Sequence, residues 1–467
     1  MKETLAKQLF EKHAKAFMEK ELIPGAMLTI AENGKTIVGK DFGFRNVKEQ
    51  LPVTGDTVFG IASMTKSFTC VGIMKLQEEG KLSVHDSIVT YLPELKTKAQ
   101  AEKITIHHLM THTSGYPPLA THVYARKNSI EQDPSSKDYG LDLLNNPGPH
   151  IETYDEMLAF MANDEFEWLG EPGEYYSYSN DSYGLLGIII TRVSGQSYES
   201  FIEENVLQPA GMTRSFFDMD LIKTLDNVTT LYMKTKDGSD VYEAPIWWDA
   251  PSMRAVGYLK STANDIVRYL ELFWNEGVVN GTRILSKESV EQMMTPHIEY
   301  EPGKCYGYGL RIIPDYFGSK LISHGGGLKG VSSFMCAIPD KKLAGVILTN
   351  VADVSAGDVL MGALNIVEGR EYETSSFTVE TVEIEDSELA KYEGVYISGE
   401  GMNVTAEIRN GVFGIESNAS YKPLRYAGEN VFVAEDDYTD ILQFIEDSNG
   451  DIERIVYGGR HIIKKTN

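Results

Sequence analysis

Three stretches of the chain carry side chains whose types and spacing can do chemistry. Ser63-Met64-Thr65-Lys66 has the form S-x-x-K and opens the largely apolar run "SMTKSFTCVGIMKLQEEGKL". Residues three apart on a helix share a face, so the Lys66 amine can reach the Ser63 hydroxyl. A serine hydroxyl is a weak nucleophile, and a lysine with a pKa depressed by burial or a nearby cation can take its proton. Alone the pattern is weak, because both residues are common and a plain helix start accounts for it better. The second stretch is "SHGGGLKG", residues 323–330, and the third is Tyr178-Ser179-Asn180 within "PGEYYSYSNDSYGLLG".

"SHGGGLKG" admits three readings, and its flanks separate them. Gly325, Gly327 and Gly330 match G-x-G-x-x-G. A dinucleotide loop must run from a strand into a helix whose N-terminus binds the phosphates, whereas this one runs into the β-type "VSSFMCAI". His-Gly-Gly-Gly also supplies oxyanion donors in lipases, but those enzymes need a G-x-S-x-G elbow after that loop, and the chain has none. What is left is the closing edge of a different serine-hydrolase site.

These residues need elements to hold them. The 467 residues exceed one core, so two or three domains are expected. "MKETLAKQLFEKHAKAFMEKEL" reads as an amphipathic helix rather than a signal peptide, and no run is long enough to span a bilayer. "GAMLTIAENGKTIVGKDFGFRN" predicts two strands about Asn33-Gly34, with a type I′ turn. The run behind Ser63 predicts a buried helix closed by Gly80, and "STANDIVRYLELFWN" a helix capped by Ser261 or Thr262. Residues 117–150 break the rhythm with prolines and read as an irregular surface excursion, either a substrate-shaping lid or a passive insertion. From "YGYGLRIIP" to "GVILTN" the pattern is antiparallel strands, then a helix at roughly 355–368. Beyond Gly369 lies an acidic linker, and from Leu389 onward strand and turn alternate, as in a small barrel.

The net charge of −25, from 68 acidic and 43 basic residues, repels phosphate backbones and excludes a nucleic-acid partner. Cys70, Cys305 and Cys336 lack metal-ligand spacing and read as buried free thiols. His107, His108 and His112 lack H-E-x-x-H and a carboxylate or cysteine partner, so no metal is expected. No cofactor is implied, and the chain reads as cytoplasmic.

In chain order, S-x-x-K, Y-x-N and His-Gly-Gly resemble the serine β-lactamase and penicillin-binding family, in its class C-like branch of esterases and S12 peptidases. "ITIHHLMTHTSGYP", "LQPAGMTRSFF", "GYLKSTANDIVRYL" and "YGYGLRI" also resemble that family's blocks in its order, over roughly residues 5–368. The resemblance implies an α+β fold: an antiparallel sheet flanked by helices plus an all-α subdomain. Ser63 would be the acylated nucleophile, Lys66 its proton acceptor, and Tyr178 a phenolate or shared base that protonates the leaving group. Asn180 would bind the substrate's acyl-side amide, and the backbone N–H groups of Ser63 and Gly327 would form the oxyanion hole, worth about 3–4 kcal/mol per donor. His324, Gly325 and Gly326 would line the substrate. His324 stands where the antibiotic-binding members carry a lysine, so the pocket is expected to lack a permanent cation there.

Residues 387–467 resemble the lipocalin-like domain appended to some S12 peptidases, where the barrel restricts the site or builds oligomers. The expected organisation is a hydrolase domain at 1–369, a linker at 370–386 and a barrel at 387–467, with homo-oligomers through the barrel. The first substrate class is peptides or amides, D-residue peptides among them, taken as small molecules or short peptides. Carboxylesters follow closely. The rivals are a β-lactamase or penicillin-recognising protein with little turnover, and an acyl transferase. Trp247, Trp248, Asp249 and Arg254 are open between pocket and core.

Overall fold

The computed structural model describes residues 2–138, 147–377, 379–417, 420–434 and 441–465, with side chains from residue 10 onward. Asn33 and Gly34 take the left-handed conformation, with φ of +51° and +75°. That turn folds Gly25–Glu32 against Lys35–Asn46. Gly25–Glu32 then pairs with a strand more than three hundred residues away, Leu343–Thr349, in the register Ala26↔Thr349 to Glu32↔Leu343. The result is a nine-stranded antiparallel sheet in which the chain's first hairpin completes a late meander running from Ile298 to Thr349.

Both central strands are almost wholly buried, because helices cover both faces. On one face lie Lys2–Lys20 and Ala356–Val367, packed through Phe10, Ala14, Leu360 and Leu364. On the other lies Ala263–Trp274, and behind it Thr65–Glu78, joined to it through Phe68 on Tyr269. Thr65–Glu78 is buried on nearly every side, with Gly80 at φ +68° just beyond its end. Asn180–Ser194 packs beside it in the main core. Of the two candidate caps, Thr262 performs the role, accepting from the Asp265 N–H.

The excursion at 117–150 is more deeply set than an irregular surface loop. Short helices Thr121–Ala125 and Lys127–Glu131 carry Val123 and Ile130 onto Trp248, which supplies the apolar surface that holds them. Asp133 pairs with Lys329 at a site where both side chains are at most 1% exposed. It also accepts from the Trp248 indole at 2.8 Å. Residues 139–146 of the excursion lie outside the described residues.

Among the described residues no helix or strand lies between Val367 and Asp386. This linker is packed rather than trailing: Asn365 donates to the carbonyls of Tyr372 and Thr374, and the Tyr372 ring stacks on His13 at 4.3 Å. Eight antiparallel strands then close into a barrel, from Gly394–Ile397 to Arg460–Lys464. Tyr392, Phe413, Phe432 and Phe444 fill its interior.

Candidate active site

The nucleophile turn is built under strain. Ala62 adopts φ +44°, a left-handed conformation that costs a β-carbon-bearing residue about 1–2 kcal/mol. Ser63 follows in a single 3-10 turn that feeds the helix Thr65–Glu78. The turn is held on three sides. The Thr65 hydroxyl donates to Ala62 O at 2.7 Å, the Ile61 N–H to Leu259 O at 3.1 Å, and the Ser333 hydroxyl to Ile61 O at 2.8 Å. Gly326 must be glycine for this packing, since a β-carbon there would lie 2.4 Å from Ile61 O.

Lys66 is fully buried. Its Nζ lies 2.9 Å from Asn180 Oδ1, 2.8 Å from Val256 O and 3.2 Å from Ser63 Oγ. Burial first, then the Arg460 cation, lowers its pKa well below the ordinary lysine value. A neutral amine has two N–H donors and one lone pair. The two pure acceptors, Asn180 Oδ1 and Val256 O, take the donors, which leaves the lone pair for the Ser63 hydroxyl. This is the arrangement of a general base.

Tyr178 and Asn180 reach the same place from the segment that begins the helix Asn180–Ser194, capped by Ser179. The Tyr178 ring lies under Lys66 Nζ, 4.8 Å from its centroid. Burial raises the Tyr178 phenol above its ordinary value, against the opposing pull of Ser63, Arg460 and Arg311. A resting phenolate is therefore disfavoured, and the phenol suits a proton donor or relay.

A narrow pocket of about 80 Å³ opens at Ser63, lined also by His122, Asn180, Tyr258, Gly327 and Arg460. Nothing lies within 4 Å of where a β-carbon on Gly327 would stand. Ser63, Lys66, Tyr178, Asn180 and Gly327 thus come together as the sequence suggests. His324 does not line this pocket, nor do Gly325 and Gly326.

The His324 ring is spent internally. The backbone N–H of Ser179 donates to His112 Nδ1 at 3.0 Å, so His112 carries its proton on Nε2, 3.2 Å from the Tyr306 hydroxyl. Tyr306 can then donate to His324 Nε2 at 3.1 Å, and His324 Nδ1–H to Gly325 O at 2.6 Å. Burial, then the Arg311 and Lys66 cations, pushes His324 down to about 3.

The expected gap in positive charge is filled from an unforeseen direction. Arg460, on the last barrel strand, faces the pocket and lies over the Tyr178 ring, 4.7 Å from its centroid. Its Nε donates to Glu400 at 2.6 Å, and Glu400 accepts from Asn180 Nδ2 at 2.9 Å. Because a carboxylate only accepts, this contact fixes the Asn180 amide with its oxygen toward Lys66. Tyr178 N–H also donates to Gly459 O at 2.8 Å, and Gly399 N–H to Pro118 O at 3.0 Å. The barrel therefore forms a wall of the site.

Sequence reasoning missed Glu400, Arg460, His122 and Tyr258, and treated His112 only as a metal decoy. Tyr258 stood inside the block "GYLKSTANDIVRYL". For Glu400 and Arg460 no local signal exists, since both sit in ordinary turn-and-strand text. Trp247 packs beneath the nucleophile turn with Ala62, Leu231 and Val331, while Trp248 is core. Arg254 is held by Asp249 at 2.6 Å and Glu199 at 3.0 Å. Among the described residues no group of three or more His, Cys, Asp or Glu could hold a metal ion. No helix among them is long and apolar enough to cross a membrane.

A family model described as Beta-lactamase matches residues 10–366. The protein flp of Staphylococcus aureus (strain COL) is 29% identical over 338 residues, which are 72% of this chain and 61% of that protein. This chain thus spans less than two thirds of that relative's length. The octameric penicillin-binding protein homologue from Pyrococcus abyssi superposes with a TM-score of 0.70 at 29% identity, covering 97% of this chain and 99% of that one. A D-stereospecific amidohydrolase from Streptomyces sp. superposes with a TM-score of 0.59 at 22% identity, covering 74% and 96%, a likeness of fold.

Proposed function

Because the chain belongs to the β-lactamase family, a family of serine hydrolases, we propose that it hydrolyses peptides or amides, including those with D-residues, through an acyl-enzyme on Ser63. The observation that carries this reading is the buried Lys66 amine, 3.2 Å from Ser63 Oγ with its two other contacts already acceptors. In the first half-reaction Ser63 Oγ bonds to the substrate carbonyl carbon while its proton passes to Lys66. The bond to the leaving nitrogen breaks, and Tyr178 protonates that nitrogen. In the second half water adds to the acyl carbon, the same pair takes its proton, and Ser63 departs as a hydroxyl with release of the acid. The backbone N–H groups of Ser63 and Gly327 serve as oxyanion donors.

Deacylation separates this reading from a penicillin-recognising protein that stops at the acyl-enzyme. The latter reading gains from Arg460, since a fixed cation in the pocket suits a carboxylated β-lactam. The D-stereospecificity of the Streptomyces amidohydrolase supports the choice of D-residue substrates, and the octameric state of the Pyrococcus homologue supports homo-oligomers. No specific observation among the described residues favours the acyl-transferase reading. The test is a panel of D- and L-aminoacyl anilides, p-nitrophenyl esters and nitrocefin, followed to steady state, with mass mapping of a fluorophosphonate adduct. Sustained turnover of an anilide with the adduct on Ser63 supports the proposal. A single burst, or an adduct on Ser114, Ser179 or Ser332, sinks it.

A further inference from the structure

A second space lies apart from Ser63. A cleft of about 740 Å³ opens where the outer face of the sheet, the linker at 372–377 and the barrel turn Gly458-Gly459 meet. That volume falls within the range of small-molecule sites. The barrel interior is filled by aromatic side chains, so the room for a ligand lies outside it.

Arg311 stands in the cleft wall, opposite Ser323 in the sheet register. Among the described residues nothing accepts a hydrogen bond from its guanidinium, and its Nε is buried without a partner. The Tyr300 ring faces it, 5.9 Å from Cζ, and the phenols of Tyr176, Tyr178 and Tyr306 also lie near enough to act on it. The Ser323 hydroxyl beside it is 7% exposed by residue and likewise unengaged. A part-buried cation without a counter-charge is costly, and a hydrogen-bonding anion would remove that cost. Glu301, Asp358 and Glu373 also line the cleft, but none forms an ion pair with Arg311, and Glu301 is held by Lys304 at 2.7 Å. Their charge opposes a dianion such as phosphate and tolerates a single carboxylate. The remaining wall is apolar, with Phe334, Met361 and Phe377.

We infer that this cleft binds a carboxylate carried on an apolar body. Arg311 and Ser323 take the carboxylate, and the apolar side chains cover the body. The cleft shares no lining residue with the pocket at Ser63, although Arg311 is near enough to act on Tyr178. Its test therefore reads binding and needs no turnover. Octanoate, octanamide and inorganic phosphate are titrated calorimetrically into the full chain carrying Ser63→Ala. Octanoate is expected to bind at one site and raise the melting temperature. Octanamide and phosphate should bind at least about tenfold more weakly. Arg311→Gln should weaken octanoate by about the same factor. If that variant loses its melting transition, Phe377→Glu, on the linker, should abolish octanoate binding by placing a carboxylate in the apolar wall. Octanoate binding that survives Arg311→Gln or Phe377→Glu would overturn the inference. So would octanamide or phosphate binding as tightly as octanoate.

Discussion

Glu400 accepts a hydrogen bond from the side-chain amide of Asn180 at 2.9 Å, while the oxygen of the same amide accepts from Lys66 at 2.9 Å. A barrel carboxylate and the proposed catalytic lysine are thereby joined through one side chain. The barrel's second charge, on Arg460, acts on the same amine with the opposite sign. Arg460 lowers the Lys66 pKa, and Glu400 raises it.

The two charges therefore make opposed predictions for the acid limb of kcat/KM. The base form of Lys66 is the active one, so activity falls as pH drops through its pKa. Arg460→Gln removes a cation and should move that limb to higher pH. Glu400→Gln removes an anion and should move it to lower pH. Turnover should drop about tenfold in the second variant, because a glutamine amide donates as well as accepts and no longer fixes the orientation of the Asn180 amide. Limbs moving in the same direction, or staying still, would refute the electrostatic role.

Lys66→Ala and Tyr178→Phe should each lower turnover at least about 100-fold, since each removes a proton-transfer group. The double variant should lose much less than the product of the two, as residues acting in one relay are non-additive. Steady-state rates on a chromogenic anilide measure this. Multiplicative losses would mean two independent functions.

His324 should be silent in the pH profile between 5 and 8, because it is held neutral down to about 3. Its ring signals in an NMR titration should not shift over that range. Replacing His324 with Lys and Gly325 with Thr should lower the melting temperature, by burying an ammonium among Tyr306 and Tyr178. It should leave the preference for acid over neutral substrates unchanged. A gain in carboxylate preference would show that this side chain reaches the pocket.

Asp181, fully buried beside Asn180, is pushed up to about 7, chiefly by burial and then by the Glu400 charge. A carboxyl raised in the folded state binds its proton more tightly there than in the unfolded chain. Its contribution is therefore fully present below about pH 4 and is lost as pH rises through about 7, by a few kcal/mol. Asp181→Asn should leave stability at pH 4 nearly unchanged and raise it at pH 8. Chemical denaturation at the two pH values checks this, and equal effects at both would disprove it.

Much of this architecture was legible because its signals are local. Asn33-Gly34, Gly80 and Thr262 announce their turn, helix end and cap through backbone and side-chain chemistry within a few residues. Ser63, Lys66, Tyr178 and Asn180 were legible from motif order. The direction of the His324 ring was not, since it follows from His112 and Tyr306, which converge only in three dimensions. The excursion at 117–150 was misjudged for a similar reason. Its anchors, Trp248 and Lys329, are distant in sequence. Glu400 and Arg460 lay beyond any local pattern, because only docking of the barrel brings them to the pocket.

That docking also sets an order in time. The strained turn, the lysine and the phenol leave the ribosome long before residues 400 and 460. A nascent chain can fold its sheet and bury Lys66 while the amide of Asn180 still lacks its carboxylate and the pocket its guanidinium. The final strand of the barrel thus delivers the finishing charge, and the centre reaches its final form only once that strand has been made and the barrel has docked.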